Sequence, residues 1–190
     1  MIDHFSILGQ PRRPWLDPEE VKDAFHRLSA TLHPDVPGTG DAAQFTALNG
    51  AWSVLREPVS RLRHLLELTA PEVLAEAAHP PLLLSDLFME IAGVCRRLDA
   101  FLGKRNTATS PLARALLASE EADLRRALQA TLGRLQAAET AALAEVRVLD
   151  SSWNDPTPDA TASLVRLYHR LAYLARWLAQ TRESLFALGG

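Results

Sequence analysis

His33, Pro34 and Asp35 stand side by side in a chain of 190 residues and hold its most concentrated chemistry. An aspartate carboxylate on a turn is an anionic acceptor suited to an arginine of another protein. A proline fixes its own φ and so shapes the turn, and a histidine adds a ring donor and packing surface. A catalytic pair is a poor account of these residues. Two side chains separated by one proline rarely aim at a common reacting atom, and no third group is present to orient them. The plainer alternative is that His33 and Asp35 only cap and close a helical hairpin, since both residue types are common in turns. Binding, rather than bond breaking, is the expected chemistry, and no enzymatic activity is expected.

The elements that must position this turn can be read on either side of it. Asp17-Pro18-Glu19-Glu20 is a helix start, with an aspartate able to accept from free backbone N–H groups, a proline at the first helical position and a glutamate three residues after the cap. A helix is predicted over about 18–32, with Val21, Phe25, Leu28 and Leu32 on one face. Lys22, His26 and Arg27 then lie on or beside the opposite face. The segment 33–40 contains two prolines and two glycines and cannot continue that helix. Asp41 can cap a second helix whose stripe is Phe45, Leu48, Trp52 and Leu55. A third, over about 58–68, turns Leu62, Leu65 and Leu66 inward and leaves Arg61, Arg63 and His64 to solvent.

Beyond residue 70, Ala70-Pro71 and His79-Pro80-Pro81 mark a connection, and a boundary is expected at about 75, giving regions 1–75 and 76–190. Three longer helices follow over about 84–103, 111–149 and 158–187. Leu124, Leu128, Leu135, Ala142, Val146 and Leu149, then Leu164, Leu167, Leu171, Leu174, Leu178 and Leu185, recur at helical spacing and read as packing seams. The expected class is all-α, a helical hairpin with flanking short helices followed by a three-helix bundle.

Composition narrows the function. A formal charge of −3 and a pI near 6.1 give no reason to expect nucleic acid or an acidic membrane as partner. Cys95 is the single cysteine, so the chain alone offers neither an intrachain disulfide nor a thiolate set for zinc or an iron–sulfur cluster. No metal or cofactor is expected. The start of the chain lacks a basic region followed by an apolar run, and no stretch reaches the roughly 18 apolar residues of a membrane span. A cytoplasmic protein is expected.

The pattern Glu20 to Leu28, then His33-Pro34-Asp35, then Phe45 to Pro58 resembles a J domain. Phe5-Ser6-Ile7-Leu8-Gly9-Gln10-Pro11, Trp15-Leu16-Asp17, and Arg61 to Leu68 after Pro58 are similar to the HscB (Jac-type) co-chaperones of iron–sulfur cluster biogenesis. The resemblance implies a DnaK/HscA-type heat-shock chaperone as partner, docked through His33, Pro34 and Asp35 with Lys22, His26 and Arg27 as the basic face, and stimulation of its ATP hydrolysis. It also implies that the C-terminal bundle binds an IscU-type cluster scaffold through Phe88, Met89 and Tyr173. The chain departs from the family pattern in several places. His26 stands where a lysine or arginine is common, and Val36 replaces a basic residue. Ala92 is small, and Gly93, Arg96 and Arg97 stand where acidic residues usually follow the apolar pair. Two other readings stay open: a J-domain co-chaperone serving a different client, and a structural helical adaptor with a vestigial motif.

Overall fold

The computed structural model describes residues 2–35, 40–75, 84–154 and 156–189. Among these there is no strand. Seven helices run in the order α1 (His4–Ile7), α2 (Pro18–Leu32), α3 (Ala42–Leu55), α4 (Pro58–Thr69), α5 (Ser85–Thr107), α6 (Pro111–Asp150) and α7 (Pro158–Gly189), with a 3-10 helix at Pro71–Ala75 between α4 and α5. Residues 36–39 of the turn and the connection 76–83 lie outside the described residues.

The caps form as the sequence predicts. Asp17 accepts from the N–H groups of Glu19 and Glu20 at 2.9 and 3.4 Å, and Asp41 accepts from those of Ala43 and Gln44 at 2.9 and 3.0 Å. Each carboxylate satisfies donors that the first helical turn leaves unpaired. Sequence reading does not foresee α1. Asp3 caps it by accepting from Phe5 and Ser6, and Gly9 ends it at φ +63°. There Gly9 N–H donates to the Ser6 carbonyl and Gln10 N–H to the Phe5 carbonyl, the paired bonds of a Schellman cap.

The chain forms two compact units. The first comprises Met1–Ala78 with Ala144–Tyr168, the second His79–Leu143 with His169–Gly190. In the first unit Phe5, Leu8, Leu16, Val21, Ala24, Leu48, Ala51, Leu55, Leu62, Leu65 and Leu66 are buried. In the second, α5 and its share of α6 and α7 close around Val94, Leu98, Phe101, Leu124, Leu128 and Leu188. Of the expected seams all but Leu149 and Leu185 are buried, and those two are half-buried.

Two charged residues of α4 depart from expectation. Arg61 and His64, expected in solvent, are 3% and 5% exposed; only Arg63 is exposed. Arg61 donates through Nε to the Pro14 carbonyl at 3.1 Å and through a terminal nitrogen to the Leu55 carbonyl at 2.9 Å. His64 Nε2 accepts the His4 backbone N–H at 3.1 Å. The segment before α2 folds over α4, and each inward polar head finds a backbone partner there, as burial demands. Burial lowers the Arg61 pKa to about 10, with Asp150 and Glu57 opposing the fall, so the guanidinium stays protonated at neutral pH. The stretch between α1 and α2 is also tied to the end of α6. Asp150 accepts the Trp15 N–H at 3.0 Å and pairs with Arg13 at 2.9 Å, while the Arg147 guanidinium lies 4.2 Å from the Trp15 ring centroid.

Helix α5 runs four residues past its expected end, through Lys104-Arg105-Asn106-Thr107. Tertiary contacts hold this extra turn. Arg105 donates to the carbonyls of Ala187 and Leu188, orphan acceptors at the end of α7, and Lys104 pairs with Glu120 at 2.9 Å.

Candidate functional site

Burial along the α2/α3 hairpin is uneven. Val21, Ala24, Leu48, Ala51 and Leu55 are buried, but Phe25, Leu28, Leu32, Phe45 and Trp52 are only half-buried. Rings hold the outer part together. Phe25 stacks on Trp52 with centroids 4.9 Å apart, and His33 meets Phe45 edge-on at 5.0 Å. The backbone closes there too, with His33 N–H donating to the Ser29 carbonyl and Asp41 N–H to the Leu32 carbonyl, each at 3.1 Å. These contacts hold His33-Pro34-Asp35 at the end of α2.

At that end His33 and Asp35 have distinct jobs. His33 Nδ1 accepts the Asp35 backbone N–H at 3.3 Å, which in the neutral ring puts the proton on Nε2. The imidazole therefore braces the Asp35 backbone with one nitrogen and leaves a donor on the other. The Asp35 carboxylate is 91% exposed, and its contact with the His33 ring is a loose 3.6 Å. A solvated carboxylate on a braced backbone is a ready acceptor for a guanidinium arriving from another molecule.

Along the exposed face of α2, Lys22 is not a free cation. Glu19 holds its ammonium at 2.9 Å, and that hydrogen bond raises its pKa. His26 and Arg27 are exposed, and among the described residues neither is in an ion pair.

The bundle residues gather as well. Phe88 and Met89 are 46% and 63% exposed on α5, large apolar side chains facing water. Tyr173, on α7, is half-buried. The indole of Trp177 meets both of these rings, its centroid 6.0 Å from that of Phe88 and 5.8 Å from that of Tyr173. In the sequence, the i+4 spacing of Trp177 from Tyr173 is the signal that points to it. Glu90, next to Met89, is turned away into ties with Arg134 and with Thr131, whose hydroxyl it accepts at 2.8 Å. Cys95 is half-buried, and its Sγ accepts from Gln180 at 3.4 Å. Among the described residues no cluster of histidine, cysteine and carboxylate could hold a metal ion, and no helix is long and apolar enough to cross a membrane.

Comparison with known proteins agrees with this geometry. The DnaJ domain family matches residues 3–64, so the hairpin with its exposed His-Pro-Asp tip defines a J-domain protein. Over 140 residues the chain is 32% identical to the co-chaperone protein HscB homologue of Bordetella pertussis, covering 70% of this chain and 78% of that one. The HscB homologue of Azoarcus sp. is 37% identical over 73 residues, 35% of this chain and 41% of that one. Among solved structures, HscB from Vibrio cholerae aligns over 96% of both chains with a TM-score of 0.58 at 17% identity. Human HscB aligns over 96% of this chain and 82% of its own with a TM-score of 0.54 at 16% identity. The chain belongs to the HscB co-chaperone family.

Proposed function

We propose that this protein stimulates ATP hydrolysis by a DnaK/HscA-type heat-shock chaperone in the cytoplasm and delivers to it an IscU-type scaffold for iron–sulfur clusters. Region 1–75 acts as the J domain, and region 76–190 carries the client. The protein breaks no bond itself. It regulates a partner's ATPase, and the cluster is cargo on the scaffold. The observation that carries the reading is the Asp35 carboxylate, solvated at the hairpin tip while His33 braces its backbone.

In this account Asp35 accepts from an arginine of the chaperone, Pro34 keeps the turn rigid, and His33 offers its Nε2 proton. Lys22, His26 and Arg27 supply attraction along α2. With Lys22 neutralised by Glu19, this attraction is weaker than three cations would give and sets association rate more than final affinity. Phe88, Met89 and Tyr173 take the scaffold. A different client is the second reading, supported by the pairing of Glu90 with Arg134, which leaves the patch without a free carboxylate beside Met89.

Steady-state ATPase assays with the chaperone test the first contact. Asp35→Asn removes the charge while keeping size, and His33→Gln removes the ring. Because both side chains are exposed, each variant keeps wild-type helix content, and each lowers stimulation at least tenfold, about 1.4 kcal/mol or more of lost interaction. Wild-type stimulation by the asparagine variant contradicts the reading.

A further inference from the structure

We propose that Trp177 is the positioning residue of the client patch, a fixed aromatic base that joins Phe88 of α5 and Tyr173 of α7 into one docking surface. The inference rests on the scaffold reading above and concerns the same surface.

Three observations lead there. First, α5 supplies little bulk of its own after the Phe88-Met89 pair. One turn on, Ala92 and Gly93 carry a methyl and a hydrogen, and a Cβ built on Gly93 meets nothing within 4 Å. Second, the missing bulk comes from α7. Trp177 is 5% exposed yet contacts both half-exposed rings, tilted at 39° to Phe88 and 46° to Tyr173. Tilted pairs at such separations gain about 0.5–1.5 kcal/mol beyond area burial. Applied to a side chain with only a few rotamers, that is enough to hold it mostly in one of them. Third, the two helices are tied again further along the same side, where Gln180 Nε2, three residues beyond Trp177, donates to Sγ of Cys95, seven beyond Phe88. The contact of Phe88 with the indole is therefore held in register and does not depend on one pair alone.

A phenyl ring half in water and free to swing would have to be ordered on binding. A ring already leaning on a buried indole has lost that freedom on folding. Trp177 itself is too covered to give a partner much surface, so it acts through Phe88 and Tyr173. This also explains how the patch can function with small residues at 92 and 93: its rigidity comes from across the helix pair.

Calorimetric titration of the full chain with the apo form of the IscU-type scaffold encoded in the same genome tests the proposal. The variants are Phe88→Ala, Trp177→Phe, Trp177→Leu and the Phe88→Ala/Trp177→Leu double. Titrations run below the melting temperature of each, with helix content checked by circular dichroism. Phe88→Ala is expected to weaken binding about tenfold. Trp177→Leu should weaken it about fivefold and Trp177→Phe, which restores a ring, less than about twofold. The double variant should bind within about twofold of Phe88→Ala, because Phe88 is the more exposed of the two rings and, once it is gone, only the half-buried Tyr173 is left for the indole to position. A general loss of packing would instead add in full to the Phe88 effect, and that additivity overturns the proposal, as does wild-type affinity in Trp177→Leu. If Trp177→Leu loses helix content, failure of Trp177→Phe to keep affinity decides against it. Unchanged affinity in Phe88→Ala refutes the docking reading itself, a different outcome from failure of the Trp177 variants alone.

Discussion

Gly9 and His33 each solve a backbone problem within a few residues of themselves. At φ +63° Gly9 lets α1 end in two cap bonds, and a side chain there is strained although nothing crowds the space around it. The left-handed conformation costs an L-residue about 1–2 kcal/mol. Alanine recovers part of that by stiffening the unfolded chain. Gly9→Ala is therefore expected to lose about 1 kcal/mol, or about 2–4 °C in melting temperature for a chain of this size, as measured by thermal denaturation. Because the cost lies in the backbone, Gly9→Asn, a residue that tolerates this conformation, should lose less. His33 is the comparable case on the functional side. Its role as an acceptor for the Asp35 N–H was not legible in the sequence, which announced the tripeptide but not which ring nitrogen faces the chain. The anionic acceptor was legible in the tripeptide itself, but its exposure was not, because elements far along the chain could have covered the turn.

At the scale of elements, the caps and stripes of α2 and α3 could be read because they depend on neighbours in sequence: Asp17 and Asp41 act on donors two and three residues away. Arg61 and His64 could not. Their burial depends on a segment some fifty residues earlier that has no helical period to advertise it. The cover over α4 has a pH dependence with a definite sign. Burial lowers the pKa of His64 below 6.5, and the adjacent His4 pushes the same way against weaker pulls from Glu67 and Asp3. The His4 and His64 rings lie 4.6 Å apart, and Phe5 stacks on His64 at 5.7 Å. The unfolded chain thus binds a proton more readily than the folded one, and stability rises with pH through this window. The contribution is complete above about pH 6.5 and is lost as pH falls through the folded-state value. Urea midpoints at about pH 7.5 and 5.5 check it. The wild type should fall more than His64→Gln, which can still accept the His4 N–H but cannot titrate; equal falls would remove His64 as the cause.

For the whole molecule, the sequence made the three-helix bundle legible because long helices with apolar seams must bury them to be stable. It did not show that residues 144–168 join the first compact unit. That membership rests on particular side chains, notably Asp150 accepting the Trp15 N–H and pairing with Arg13, contacts more than 130 residues apart in sequence. The residues of the proposed client patch were only partly legible. Phe88, Met89 and Tyr173 were identifiable from resemblance, but the indole connecting two of them becomes apparent only when α5 and α7 are seen side by side.

The proposed function asks one polypeptide to hold a chaperone through its J domain and a client through its bundle at the same time. Single-turnover ATP hydrolysis by the chaperone, with scaffold present, tests this when Asp35→Asn and Phe88→Ala are assayed alone and mixed. Each variant lacks one contact and keeps the other, so the account predicts that wild type accelerates hydrolysis at least tenfold over either variant and that mixing them restores nothing. Recovery of the wild-type rate by the mixture would show that the two contacts need not share a chain, and would contradict the account.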